Sequence, residues 1–206
     1  DMGVNMIASA IVDDEACREA SCQEIIRRYY ATAVGVRKGT STPSELHKQE
    51  MLLNSLHLDV SMRKAVPAAR AKAEQTGNPA VAIELPDGLM GASCAALLNS
   101  LKTLANIRDN VNLISPMVLA PIQHLKVEHL GNTNPRLHTD EVLIALSMSA
   151  VTNPTAELAM EALSSLRGGE VHSSVILSDV DVNVFKKLGM NVTCEPVYQS
   201  HSLYHK

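Results

Sequence analysis

Aromatic side chains are almost missing from this chain: they make up 2% of its 206 residues, with no Trp and with Phe185 as the single Phe. Base-stacking platforms of the kind that bind single-stranded nucleic acid have little to be built from. Positive charge is scarce too. Eighteen Lys and Arg stand against 22 Asp and Glu, a formal net charge of −4 with a pI near 6.1. That leaves no basic footprint for nucleic acid or anionic lipid, and the sequence predicts neither nucleic acid nor membrane as a partner. The four cysteines, Cys17, Cys22, Cys94 and Cys194, include no pair at the two-residue spacing of zinc sites or thioredoxin-like motifs. Reduced thiols and a cytoplasmic location are the expectation. No stretch approaches the ~20 consecutive apolar residues of a membrane span, and no charged-then-apolar signal segment opens the chain.

What is present is ordinary globular usage, 46% hydrophobic and 19% charged, enough apolar surface to fold. The length allows one body or two. Residues 4–12 are apolar and read as either a strand or a buried helix. Asp13 and Asp14 then supply a cap and first-turn negative charge, and four-residue repeats of Ile25, Tyr29, Ala33 and Ile26, Tyr30, Val34 predict a helix to about Arg37, ended by Gly39. Leu46, Leu53 and Leu56 mark a second helix. A third contains Pro67, which requires a kink or a fresh start there. Gly77 closes a helical subdomain, placed at 1–77.

From residue 78 the pattern is α/β. Ala80–Leu85 reads as a strand before the Pro86-Asp87-Gly88 turn, Gly91–Leu104 as a helix, and a further helix starts near Pro116. Helices follow at Thr139 and at Asn153-Pro154, the latter ended by Gly168-Gly169. Val171–Leu177 reads as a strand. Ser178 with Asp181 forms a capping box, and Asn191–Cys194 is a last strand, giving a parallel pair with a right-handed crossover. The predicted fold class is α/β: a helical subdomain followed, over 78–206, by a small mixed-sheet α/β/α sandwich.

Neither a Gly-x-x-x-x-Gly-Lys-Ser/Thr phosphate loop nor a His-Glu-x-x-His helix is present. The chemistry therefore falls to scattered polar residues. Asn134, Arg136, His138 and Glu141 put a donor fork, an imidazole and a carboxylate within eight residues at a helix start, a pattern suited to an anion. The same residues also read as a plain turn with an ion pair. Glu128-His129 precedes that loop and reads equally as a solvated helix end. His172 lies in a strand, where a lone histidine also serves a purely structural role. Ser93-Cys94 stands at the beginning of a helix, where a thiol is activated or simply packs. His201, Tyr204 and His205 are too few for a metal claim.

Several stretches resemble one bacterial family: Asp-Met-Gly-Val-Asn-Met at 1–6, Ile-Val-Asp-Asp-Glu-Ala at 11–16 and Gln-Glu-Ile-Ile-Arg-Arg-Tyr-Tyr at 23–30. Asn-Pro-Arg-Leu-His at 134–138, Glu-Val-His-Ser at 170–173, Asn-Val-Thr-Cys at 191–194 and the ending Leu-Tyr-His-Lys belong to the same set. The resemblance is to the C-terminal half of the domain of unknown function 1846 family. It implies a two-part protein whose N-terminal half, absent here, carries a Gly-Pro-Gly-Ser-Gly-Lys stretch like a phosphate loop and is this chain's natural partner. It also implies a missing strand, because the family continues after Pro86-Asp87-Gly88 toward Thr-Gly-Lys whereas this chain proceeds to Leu89-Met90-Gly91. A chain break between Gly88 and Leu89 is the expectation. With that strand restored, the segment resembles the opening of a cytidine deaminase-like fold. Zinc deamination does not follow: Ala96 stands where the catalytic Glu would be, and no Cys-x-x-Cys exists.

The expected function is thus an α/β module of a cytosolic two-part protein, handling a phosphate-bearing or nucleotide ligand against its N-terminal half. Arg136, with Asn134 and Glu141, would bind the ligand, and His138, His129 or His172 would serve as acid or base. No cofactor is assigned, and the residues argue against zinc. The competing expectation is a non-catalytic homo-oligomerisation module built on the apolar face of the helices in 13–76. The first needs Arg136, His138 and His172 in one cleft; the second needs an exposed apolar patch on the helical subdomain.

Overall fold

The computed structural model describes residues 13–93 and 95–199. Residues 4–12, Cys94, His201, Tyr204 and His205, which the sequence reading singles out, lie outside the described residues. The chain divides into two units, one ending at Arg63 and one beginning at Lys64. This places the division earlier than Gly77, because the third helix packs on the sheet.

In the first unit, α1 (Asp14–Lys38) starts where the Asp13 carboxylate accepts the Ala16 amide at 2.9 Å and stops where Gly39 turns left-handed. Its buried stripe is Ile26, Tyr30 and Ala33, spaced for one face of a helix. A reciprocal cap opens α2 (Pro43–Ser55): the Thr42 amide donates to Glu45, and the Glu45 amide to the Thr42 hydroxyl. Leu53 is its buried residue.

The second unit opens with α3 (Ala65–Thr76), which starts fresh so that Pro67 falls in its first turn, where a missing amide proton costs nothing. A four-stranded sheet follows, ordered β2-β1-β3-β4 from β1 (Val81–Glu84), β2 (Met90–Ser93), β3 (Glu170–Ser173) and β4 (Asn191–Cys194). β1 is antiparallel to β2 and β3, and β3 is parallel to β4. The helices are α4 (Ala96–Leu104), α5 (Pro116–His124), α6 (Thr139–Ala150), α7 (Pro154–Glu161) and α8 (Asp179–Lys187), with α8 forming the crossover between the parallel strands. The architecture is the expected α/β one.

Strand residues alternate between faces. Ile83 and Val171 point to a core shared with Leu97, Leu101, Leu146, Leu166 and Phe185, whereas Ala82 points the other way, against Ala65 and Ala69 of α3. Small residues on both partners let α3 approach closely.

Two expectations are corrected. At the turn after β1, Gly88 adopts φ +85°, its amide donates to Leu85 O at 2.8 Å, and Leu85 N donates to Leu89 O at 2.8 Å. Residues 91–93, read as the start of a helix, belong instead to β2, because that turn delivers them to the open edge of β1. Finally, β3 ends at Ser173 rather than Leu177. Beyond it the chain bends away, tied by Ser174 N to Ala80 O at 3.0 Å and by Ile176 N to Val197 O at 2.8 Å.

Candidate functional site

Where β3 ends, a cavity of about 410 Å³ opens in the second unit. The starts of three helices border it: Ala95–Leu98 at α4, His138 and Thr139 at α6, and Ser178 and Asp181 at α8, with Ala95, His138 and Ser178 as the capping positions. Helix starts expose unpaired amides and carry partial positive charge. Two of the three are satisfied from within the protein. The Thr139 amide donates to Asp181 Oδ1 at 2.7 Å, and the Asp181 amide to the Ser178 hydroxyl at 3.1 Å. The start of α4 has no side-chain cap.

The loop before α6 brings Asn134, Arg136 and His138 to the cavity. Asn134 Oδ1 accepts the Arg136 amide at 3.0 Å, closing a tight turn. The loop is pinned from beneath by Lys126, whose ammonium donates to Arg136 O at 2.8 Å and to Glu141 Oε2 at 2.6 Å. The same Glu141 oxygen accepts the His138 amide at 2.6 Å. Burial pushes the Glu141 carboxyl up, but the Lys126 and His138 donors outweigh it and hold the group below its ordinary value.

His138 is half exposed, and its Nδ1 lies 3.3 Å from Asp181 Oδ2. Asp181 also accepts the Ser178 hydroxyl at 2.6 Å and the Thr139 hydroxyl at 2.7 Å. Burial raises its carboxyl, and these donors, with the Thr139 amide and His138, lower it further than burial raises it. An ionised Asp181 assigns the proton of neutral His138 to Nδ1, which makes Nε2 the basic nitrogen. Such a ring can take or give a proton at a ligand held in the cavity.

The structure thus brings Asn134, Arg136 and His138 together on the cavity and places Glu141 directly behind them. It does not bring His129 or His172 there. His129 is exposed on the π-helical turn Leu125–His129 that continues α5, with its ring edge-on to His124 at 5.3 Å. His172 is fully buried in β3 and bonded to Thr193 and Glu195. The requirement that Arg136, His138 and His172 share one cleft is therefore met by the first two only. Sequence reading missed Asp181 as the partner of His138 and Lys126 as the anchor of the loop. The signal for Lys126 was a lone cation within the mostly apolar run Pro116–Leu130 that proves almost fully buried. Among the described residues, no cluster of three or more His, Cys, Asp or Glu is placed to hold a metal ion, and no helix is long and apolar enough to cross a membrane.

Comparison with known proteins returns two family models. Residues 61–204 match "Domain of unknown function DUF1846, C-terminal", and residues 1–57 match "Domain of unknown function DUF1846, N-terminal". The expectation that the chain holds the C-terminal half alone is corrected by the second match. Similar relatives are a "UPF0371 protein" of Streptococcus thermophilus (strain ATCC BAA-491 / LMD-9) and a "UPF0371 protein" of Streptococcus pneumoniae (strain CGSP14). Each is 50% identical to this chain over 215 residues, covering 100% of this chain and 44% of the relative. The chain therefore spans less than half the length of the curated relatives it matches.

Proposed function

Since the chain belongs to the DUF1846 family, whose description assigns no activity, we propose a function from the geometry of the cavity: it binds a phosphate-bearing ligand, nucleotides included. Arg136 supplies the anion donor, and His138, oriented by Asp181, supplies an acid or base. The observation that carries this reading is the convergence of Arg136 and His138 with the uncapped start of α4 on one cavity. Its size suits a small phosphorylated molecule. In the longer relatives, the portion this chain does not span is proposed to complete the site. A cytoplasmic location fits such a ligand.

A thermal-shift series on the full chain tests it, with inorganic phosphate, nucleotides and phosphorylated metabolites as ligands. Binding to the folded state alone stabilises by about 2.7 kcal/mol at a hundredfold excess over Kd. A melting temperature unmoved by every member of the series removes the reading.

A second reading, self-assembly without chemistry, is supported by Met51 and Leu52 of α2 and Leu56 directly after it, all exposed. Sedimentation analysis of the chain against a variant carrying polar residues at these three positions decides it. The hairpin of β1 and β2 followed by α4 also supports a cytidine deaminase-like topology, without the residues of zinc deamination.

A further inference from the structure

On the α3 side of the sheet lies a titratable group that the cavity does not use. His172 is fully buried, flanked in register by Ala82 of β1 and Thr193 of β4. The Thr193 hydroxyl donates its single proton to the Val171 carbonyl at 3.2 Å. Toward His172 Nδ1, 2.8 Å away, it has only a lone pair to offer. On the other side of the ring, Nε2 stands 3.2 Å from Glu195 Oε1, which also takes Arg70 Nε at 2.6 Å. Burial pushes the Glu195 carboxyl up, yet the hydrogen bonds from His172 and Arg70 hold it at about 2. With the hydroxyl proton on Val171, both ring nitrogens face acceptors, the arrangement that suits a doubly protonated ring.

We propose that His172 is held as the imidazolium and that its pairing with Glu195 is a pH-sensitive latch on the segment following β4. Other charged side chains of α3 and of the strands on this face are placed as follows. Lys64, at the start of α3, pairs with Glu84 of β1 at 3.2 Å, and Glu170 of β3 accepts from Asn191 of β4 at 2.8 Å. Lys72 of α3 bonds Gln75 at 3.0 Å, and Glu74 is exposed.

The segment held by the latch matters because it walls the cavity. Glu195 N donates to Ser173 O at 2.9 Å, Val197 O accepts from Ile176, and Gln199 lines the cavity itself. When pH rises, the Nδ1 proton leaves to solvent, the Thr193 hydroxyl turns from Val171 to the ring, and Glu195 faces a neutral donor in place of a cation. The sign follows: the stabilisation is complete below the ordinary imidazole titration and is lost as pH rises through the folded one.

Nitrogen-15 shifts of the imidazole in the full chain test the charge directly. Both ring nitrogens are expected to be protonated at about pH 7.5, above the ordinary histidine value of about 6.5. Hydrogen exchange tests the latch. Protection of the Ile176 amide, corrected for intrinsic pH dependence, is expected to fall severalfold as the ring titrates. In His172→Gln that fall disappears, and in Glu195→Gln the ring titrates at lower pH. A single protonated ring nitrogen at about pH 7.5 overturns the proposal, and so does a ring that titrates while Ile176 protection stays constant. Neither readout involves ligand, so the phosphate reading stands or falls separately.

Discussion

Asp181 of α8 stands 2.7 Å from both the amide and the hydroxyl of Thr139 at the start of α6. One carboxylate caps a neighbouring helix, receives its own helix's Ser178 and orients His138. Its removal therefore acts on two helices at once. Asp181→Asn keeps one acceptor oxygen but puts an amide donor against groups that are themselves donors, at a cost of about 1–3 kcal/mol. The carboxyl is held below its ordinary value, so its contribution is present above that value and lost as pH falls through the folded one. Urea midpoints between about pH 6 and pH 3 should decline less steeply in the variant than in the parent. Parallel curves would deny Asp181 this role.

Lys126 is almost wholly buried beneath the loop and donates to both Arg136 O and Glu141. Lys126→Met leaves a partly buried carboxylate without its cation and is expected to cost about 2–3 kcal/mol. Lys126→Met with Glu141→Gln should recover part of that loss, because no lone charge remains. A double-mutant cycle measures the coupling. Strict additivity of the two changes would show that the pair does not hold the loop.

Gly88 shapes the turn of the hairpin. A Cβ there meets nothing within 4 Å, but φ is +85°, so Gly88→Ala is expected to cost about 1 kcal/mol through backbone conformation alone. Thermal unfolding reads this directly. A neutral or stabilising alanine would mean that the chain does not turn left-handed at this position.

Arg136→Ala should weaken binding of inorganic phosphate about tenfold, the effect of losing one charge-assisted contact. Calorimetric titration at fixed, low ionic strength gives the number. Equal affinity in parent and variant would take the anion donor away from Arg136.

Helix limits were legible wherever the chain carries its own punctuation: Asp13 and Gly39 bound α1, and Asn153-Pro154 begins α7. Each is a local signal, a cap or a residue free to turn left-handed, which acts without distant partners. β2 was not legible. Its residues Met90–Ser93 include Gly and Ala, which carry no strand preference, and they pair only because β1 presents an open edge. Of the site, the polar loop 134–138 could be read from its clustered donors. The partnership of His138 with Asp181 could not, since it joins residues far apart in the chain, and the capping box at Ser178 already accounted for the aspartate. His172 was legible as a titratable group but not as a buried one, because burial depends on α3 covering that face.

The strand order carries a consequence for how the second unit assembles. The β1–β2 hairpin and the β3–α8–β4 crossover are each built from neighbours in sequence, so each closes a short loop. The seam between β1 and β3 closes a loop containing everything from α4 to α7. Its entropy must be met before any contact across it is gained. That seam is therefore the step expected to set the refolding rate, and the cavity, which lies across it, comes into being only when it forms.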